Sequence, residues 1–230
     1  MSTNLGQLRD RVKRNLDRRQ ITTEESDQIT VWVNQVIRED ICADHHWASM
    51  EAMYEINTTA DVDLYAFPSP DRFKDCLTIW VQSETDGEFS ELEELAEREL
   101  LRDYSDTTTG TPKVWSRSGE GFRLRYVPST SDFRLRLRVW EYPDELIEGS
   151  STNTFLQRWS KLVEFGVTAR ACLYWGESPQ TAQLWTQMYR DELGKAVAVD
   201  RRRLSPSTLI LQPSSYAGYP ASSRRGRRRW

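Results

Sequence analysis

The run from Lys113 to Pro143, KVWSRSGEGFRLRYVPSTSDFRLRLRVWEYP, constrains the fold more than any other stretch. It divides into three consecutive strands, with turns at Ser118 to Gly121 and Pro128 to Asp132. Period-two alternation puts Phe122, Leu124 and Tyr126 on one face, and Phe133, Leu135, Leu137 and Val139 likewise. The opposite face is arginine: Arg123, Arg125, Arg134, Arg136 and Arg138. A sheet with one apolar face needs cover, and long helical segments before and after this block are placed to give it.

The first of those helices is signalled by Leu5, Leu8, Val12 and Leu16 and ends near Asp17-Arg18-Arg19. Cap chemistry in Thr22 to Ser26, centred on Thr23, then opens a helix predicted from about Thr23 to Asp44. Ile29, Trp32, Val33, Val36, Ile37 and Ile41 trace one stripe along it. Past His45-His46-Trp47 the period changes. Strands are predicted at Ala52 to Ile56, Asp61 to Phe67 and Leu77 to Val81, with a turn at Pro68 to Asp71. Phe89 to Tyr104 reads as a polar helix carrying Leu92, Leu95, Leu100 and Leu101, and Ser105 to Pro112 as a loop.

Beyond Pro143 the helical register returns. Thr152 or Asn153 caps a helix whose inward positions are Phe155, Leu156, Trp159, Leu162, Val163, Val167, Ala171, Tyr174 and Trp175, and Gly176 ends it. Ser178 and Pro179 start another, carrying Leu184, Trp185, Met188, Tyr189, Leu193 and Val197. The chain is therefore expected to be α+β. Residues 1–47 and 146–200 supply an antiparallel helical frame of about four helices, residues 48–145 an inserted antiparallel β module with one helix, and residues 201–230 an extended basic tail.

At 230 residues the chain can bury a core without staples, and nine Trp, nine Tyr and seven Phe make that core aromatic-rich. Cys42, Cys76 and Cys172 are odd in number and widely spaced, which argues for a reducing compartment and against a disulfide framework or a zinc site. The charged N-terminus does not read as a secretory signal, and no apolar run approaches a membrane span. The formal charge of -4 hides a division. Residues 200–230 hold eight Arg against Asp200, whereas residues 1–199 hold 23 basic against 34 acidic side chains. An acidic body with a basic tail is a two-part object.

Motifs for catalysis are missing. His45 and His46 are the only histidines; with Asp40 and Asp44 they could be imagined around a metal, but neighbouring side chains on a helix diverge. The sequence holds no G-x-S-x-G elbow, phosphate-binding loop or dinucleotide fingerprint. Acidic residues such as Asp61, Asp63, Glu91, Glu93 and Glu94 read as solvated positions rather than as an acid pair. The expectation is no enzyme activity, no cofactor and no metal.

The arginine face admits three readings: a phosphate-binding surface, a solvated sheet face, or a contact with the acidic surface of a neighbouring copy. The acidic body repels a polyanion, and no aromatics interleave with these arginines, so the third is favoured. In the tail, Leu209, Ile210 and Leu211 with Tyr216 and Tyr219 suit apolar anchors on a protein groove. Arg224, Arg225, Arg227, Arg228, Arg229 and Trp230 then finish on acidic residues. A nucleic-acid-binding protein using strand and tail arginines is the alternative.

The order of these features resembles the head-to-tail adaptor (connector) proteins of tailed bacteriophages. The residues concerned are the second helix ending in His46-Trp47, the step Tyr65-Ala-Phe-Pro68, and Gly110-Thr-Pro112 leading to Trp115. Phe122 to Pro128 and Phe133 to Pro143 follow as a hairpin, then a helical pair with Trp185 and Tyr189. Pro70 and the Ala-Phe pair depart from the usual pattern of the first sheet. The resemblance spans about Leu5 to Arg203 and implies a structural virion protein, assembled in the host bacterial cytoplasm. It implies a homo-oligomeric ring, usually of twelve copies, at the head-tail interface. Its implied partners are the portal protein, bound by the C-terminal segment, and a downstream tail or nozzle protein; packaged DNA passes through the channel without sequence-specific binding.

Overall fold

Asn4 and Gln7 form a reciprocal capping box: the Asn4 side chain accepts from the Gln7 amide and the Gln7 side chain from the Asn4 amide. The helix they open, α1 (Leu5–Asn15), buries Leu5, Leu8 and Val12. The computed structural model describes residues 3–18, 22–82, 87–104, 108–119, 121–131 and 133–204. Thr22, one residue before the expected cap, forms a second box with Glu25 and opens α2 (Thr23–Gln35). The helix expected to run to Asp44 changes to a π-helical turn at Val36–Ile41. The whole predicted stripe, from Ile29 to Ile41, is nevertheless buried. Trp47 is buried too, and its indole N–H donates to the Ile41 carbonyl at 3.0 Å.

The chain then makes β1 (Glu51–Asn57), β2 (Leu64–Ala66), β3 (Phe73–Gln82), β4 (Phe89–Glu91) and β5 (Glu93–Glu94), before α3 (Glu97–Asp103). The polar helix expected over Phe89 to Tyr104 is thus helical only at Glu97–Asp103, and its first half forms two short strands. Its Glu/Leu composition favours helix, but Trp80 to Gln82 of β3 pair with Phe89 to Glu91, and tertiary pairing overrides propensity. β3 is also longer than expected. A register shift near Leu77 puts Cys76 and Ile79 on the same inner face, so simple alternation breaks there.

After β6 (Thr109–Gly110) come β7 (Val114–Ser118), β8 (Gly121–Arg125), β9 (Val127–Pro128) and β10 (Arg134–Glu141). β7 and β8 pair as expected, but β8 and β10 are not hairpin partners. Val127 and Pro128 pair in parallel with Thr109 and Gly110, and the chain crosses to another sheet. One sheet has the order β1-β10-β3-β4 and is antiparallel; the other has the order β2-β8-β7-β5, with a parallel β5–β7 edge.

The two apolar stripes still meet. Leu135, Leu137 and Val139 from β10, Ile79 and Val81 from β3, and Trp115, Phe122 and Leu124 from the second sheet form one buried cluster. The sheets therefore cover each other, where helices were the expected cover. Gly121 permits the closest approach: a Cβ there would lie 2.2 Å from the Tyr65 carbonyl oxygen.

Asn153 caps α4 (Thr154–Tyr174), its side chain accepting from the Leu156 amide at 2.7 Å; the helix is kinked at Trp159. Gly176, at φ 69°, makes the turn to α5 (Pro179–Leu204), where the Ser178 hydroxyl accepts from the Thr181 amide. The molecule is α+β, with five α-helices among the described residues. Four of them, α1, α2, α4 and α5, share a second cluster with Trp47, Met50 and Trp140. Tyr174, expected inside, is 67% exposed, and Leu184 on α5 is 59% exposed. Gly166 lets α4 approach its neighbours, since a Cβ there would meet Val36 at 2.7 Å and Tyr189 at 3.1 Å.

Candidate interaction surfaces

Because Leu135, Leu137 and Val139 point inward along β10, Arg134, Arg136 and Arg138 point outward, with side chains 54%, 36% and 40% exposed. β1 alternates in the same way and presents Glu51 and Glu55 beside them. Arg138 donates to both Glu51 oxygens at 2.6 and 2.8 Å, and Arg136 donates twice to Glu55 Oε1 at 2.9 and 2.6 Å. Arg134 lies 3.8 Å from the other Glu55 oxygen. The hydrogen bonds that Arg138 donates to Glu51 are the main influence raising the Arg138 pKa, with burial acting against them. Arg136 also lies over the Phe89 ring, 3.8 Å from its centroid.

Arg123 and Arg125 do not share this face, because β8 belongs to the second sheet. Both donate to Asp63 Oδ2, at 3.1 and 2.6 Å, and the Arg125 side chain is fully buried rather than solvated. Tyr65 organises the loop that supplies this carboxylate. Its hydroxyl contacts the Thr59 and Val62 carbonyl oxygens and accepts from the Thr59 amide. Asp63 therefore serves the fold, and its earlier reading as a solvated acid is corrected. Glu51 and Glu55 are the partners the sequence reading missed. Their signal was partly present: Glu55 is an outward position of the strand predicted from Ala52 to Ile56, and Glu51 lies one residue before that strand, in the same alternation.

The β4–α3 stretch presents an exposed acidic edge with Glu88, Glu91, Glu93, Glu94, Glu97, Glu99 and Asp103. Arg117 reaches from β7 to Glu94 at 2.9 Å and also pairs with Asp75. The two histidines, expected at a helix end, lie in the irregular segment after the π-helical turn and have separate partners: His45 Nε2 lies 3.2 Å from Asp200 and His46 Nε2 lies 3.9 Å from Asp75. No group of three or more His, Cys, Asp or Glu among the described residues could hold a metal ion. No described helix is long and apolar enough to cross a membrane. Leu209, Ile210, Leu211, Tyr216, Tyr219, Arg224, Arg225, Arg227, Arg228, Arg229 and Trp230 lie outside the described residues.

No curated protein matches the chain. A family profile described as SU10 adaptor protein matches residues 3–211, spanning the helices, both four-stranded sheets and the first residues after α5. The chain belongs to this family of phage head-to-tail adaptors.

Proposed function

We propose that this adaptor forms a ring of identical subunits, about twelve in number by its resemblance to connector proteins, between the portal and the tail, with packaged DNA passing through the channel. Residues from about 201 to 230 bind the portal, and the β module receives the next tail component. The observation that carries this reading is the position of the charge reversal. Asp200, fully buried in the last turns of α5, is the final acidic residue of the sequence, and every charged side chain after it is arginine. The acidic body thus ends at a fixed point, and the chain beyond it suits a separate acidic and apolar partner surface.

Arg134, Arg136 and Arg138 are proposed as the part of the module facing a neighbouring subunit or tail protein; Arg123 and Arg125, held by Asp63, are left out. The pairing of all five with acids of the same chain also weakens the nucleic-acid alternative, since fewer unbalanced cations remain for phosphates. The test is co-sedimentation of purified portal rings with the full chain and with a chain ending at residue 204. Binding by the full chain alone is expected, and retained binding by the truncation overturns the tail assignment.

A further inference from the structure

A carboxylate without solvent must be compensated by partners, and Asp200 is 0% exposed. Its partners come from two other parts of the chain. Oδ2 accepts from the Ala48 amide at 3.0 Å and lies 3.2 Å from His45 Nε2, a contact in which the ring donates its Nε2 proton. Arg158 of α4 places Nη2 3.6 Å from Oδ1, one residue before the kink at Trp159. The guanidinium of Arg158 lies over the Trp159 ring, and Trp159 packs on Trp47 at 5.2 Å.

The segment that Asp200 holds from this side is the passage from the helices into β1, and the β module holds it from the other. Lys74 of β3 donates to the carbonyl oxygens of Cys42 and His45. His46 stacks on Trp140 of β10 at 5.3 Å. Residues 42–48 are therefore fixed between the last turns of α5 and the sheet carrying the outward arginines.

We propose that Asp200 is a latch: the end of α5 and residues 42–48 open and close as one unit, and Lys74 extends the coupling into β3. Opening either side alone leaves a buried carboxylate or its donors uncompensated, so half-open states are disfavoured. A partner that captures the chain after Leu204 then acts on the β module through this unit. Only that last step rests on the portal-binding tail; the latch stands on the contacts.

Hydrogen exchange read by mass spectrometry on the full chain tests it. Asp200→Asn removes the charge with little change of shape. Exchange is expected to quicken roughly tenfold or more in both 42–48 and 196–202, with a smaller gain at 73–76. Acceleration confined to the end of α5 overturns the latch. Lys74→Met provides a second route should Asp200→Asn fail to fold, as judged by far-UV circular dichroism. It is expected to loosen 42–48 and, through Asp200, the end of α5; loosening of 42–48 alone overturns the coupling. Portal binding by the chain ending at residue 204 overturns the tail reading separately and leaves the latch in place.

Discussion

In the helical part of the molecule, the buried side chains arrive from one stripe per helix, and aromatic edges close the gaps: Trp32 meets Tyr174 and Trp175, each with centroids 5.1 Å apart. In the β module the two sheets bury one face each, while the outward face of the larger sheet carries ion pairs between neighbouring strands. The helical frame adds to its packing scattered polar ties between helices, such as Asn15 of α1 donating to Glu164 of α4 at 2.9 Å and Arg170 of α4 donating to Asp40 at 3.0 Å. The module adds a charge pattern that disfavours a one-residue slip, because a slip would bring its arginines inward and its leucines outward. Each such exposed pair contributes only about 0.2–1 kcal/mol, so it specifies register more than it stabilises. The two regions meet at Trp140, a β10 residue buried in the helical cluster.

The largest expected effect asks whether they unfold as one. Phe155→Ala empties a buried site beside Trp47 and should cost about 3–5 kcal/mol, lowering the Tm by about 10 °C. The cysteines supply local reporters, because Cys42 and Cys172 lie in the helical core and Cys76 in the module. Burial pushes the Cys42 and Cys76 thiols up to about 12, so neither alkylates readily while folded. If the regions form one cooperative unit, all three become reactive together as denaturant rises. Cys76 remaining protected after Cys42 and Cys172 react would divide the molecule into two units.

Gly121→Ala perturbs the module alone. The new methyl group meets backbone, the Tyr65 carbonyl, which cannot swing aside as a side chain would. A cost in the upper part of about 1–3 kcal/mol is expected, with Cys76 gaining reactivity before Cys172. Loss of less than a few tenths of a kcal/mol would show that β2 is free to shift away from β8, making that strand a loosely held edge.

The same contrast explains what could be read from the residues. Helical periodicity identified α1, the α2 stripe, α4 and α5, because one face of each is buried in a continuous core. The β stripes of Phe122, Leu124, Leu135, Leu137 and Val139 were likewise evident, but alternation gives a face and not a partner. Placing β8 and β10 in opposing sheets depends on the pairing of Val127 and Pro128 with Thr109 and Gly110, a contact that no local pattern marks. Phe89 to Tyr104 misled for a related reason: its leucines and glutamates suit a helix until the edge of β3 claims Phe89 to Glu91. Asp200 carried no sequence signal either, since an acid among arginines near a helix end reads as solvated, and its burial depends on Ala48 and His45 from 152 and 155 residues away.

The arginine ladder permits a test that separates register from assembly. Reversing Arg136 and Arg138 to Glu sets two new acids beside Glu51 and Glu55, and should destabilise the module by about 1–2 kcal/mol. Adding Glu51→Arg and Glu55→Arg restores opposite charges across the strands and should return stability to within about 0.5 kcal/mol of the parent. If the face serves only the fold, the fourfold variant also assembles normally, as judged by light scattering. If the outward arginines meet a neighbouring subunit or tail protein, stability recovers while ring formation or tail docking does not.

The smallest expected effect lies where the two regions touch. Burial lowers the His46 pKa from 6.5, Lys74 and His45 add to the lowering, and Asp75 opposes it. The unfolded chain therefore takes up a proton first as the pH falls below about 6.5, and protons held preferentially by the unfolded state reduce stability. This contribution should be constant above about 6.5 and decline with acidification until the ring protonates in the folded protein as well. His46→Gln removes the titration and should flatten the slope in denaturant melts between pH 7 and 5, whatever it does to absolute stability through the lost stack on Trp140. Because the side chain is 44% exposed, solvent limits the size of the effect. A slope of opposite sign in the parent that disappears in the variant would show that attraction to Asp75 outweighs burial, making His46 a second charge-based tie between helices and sheet.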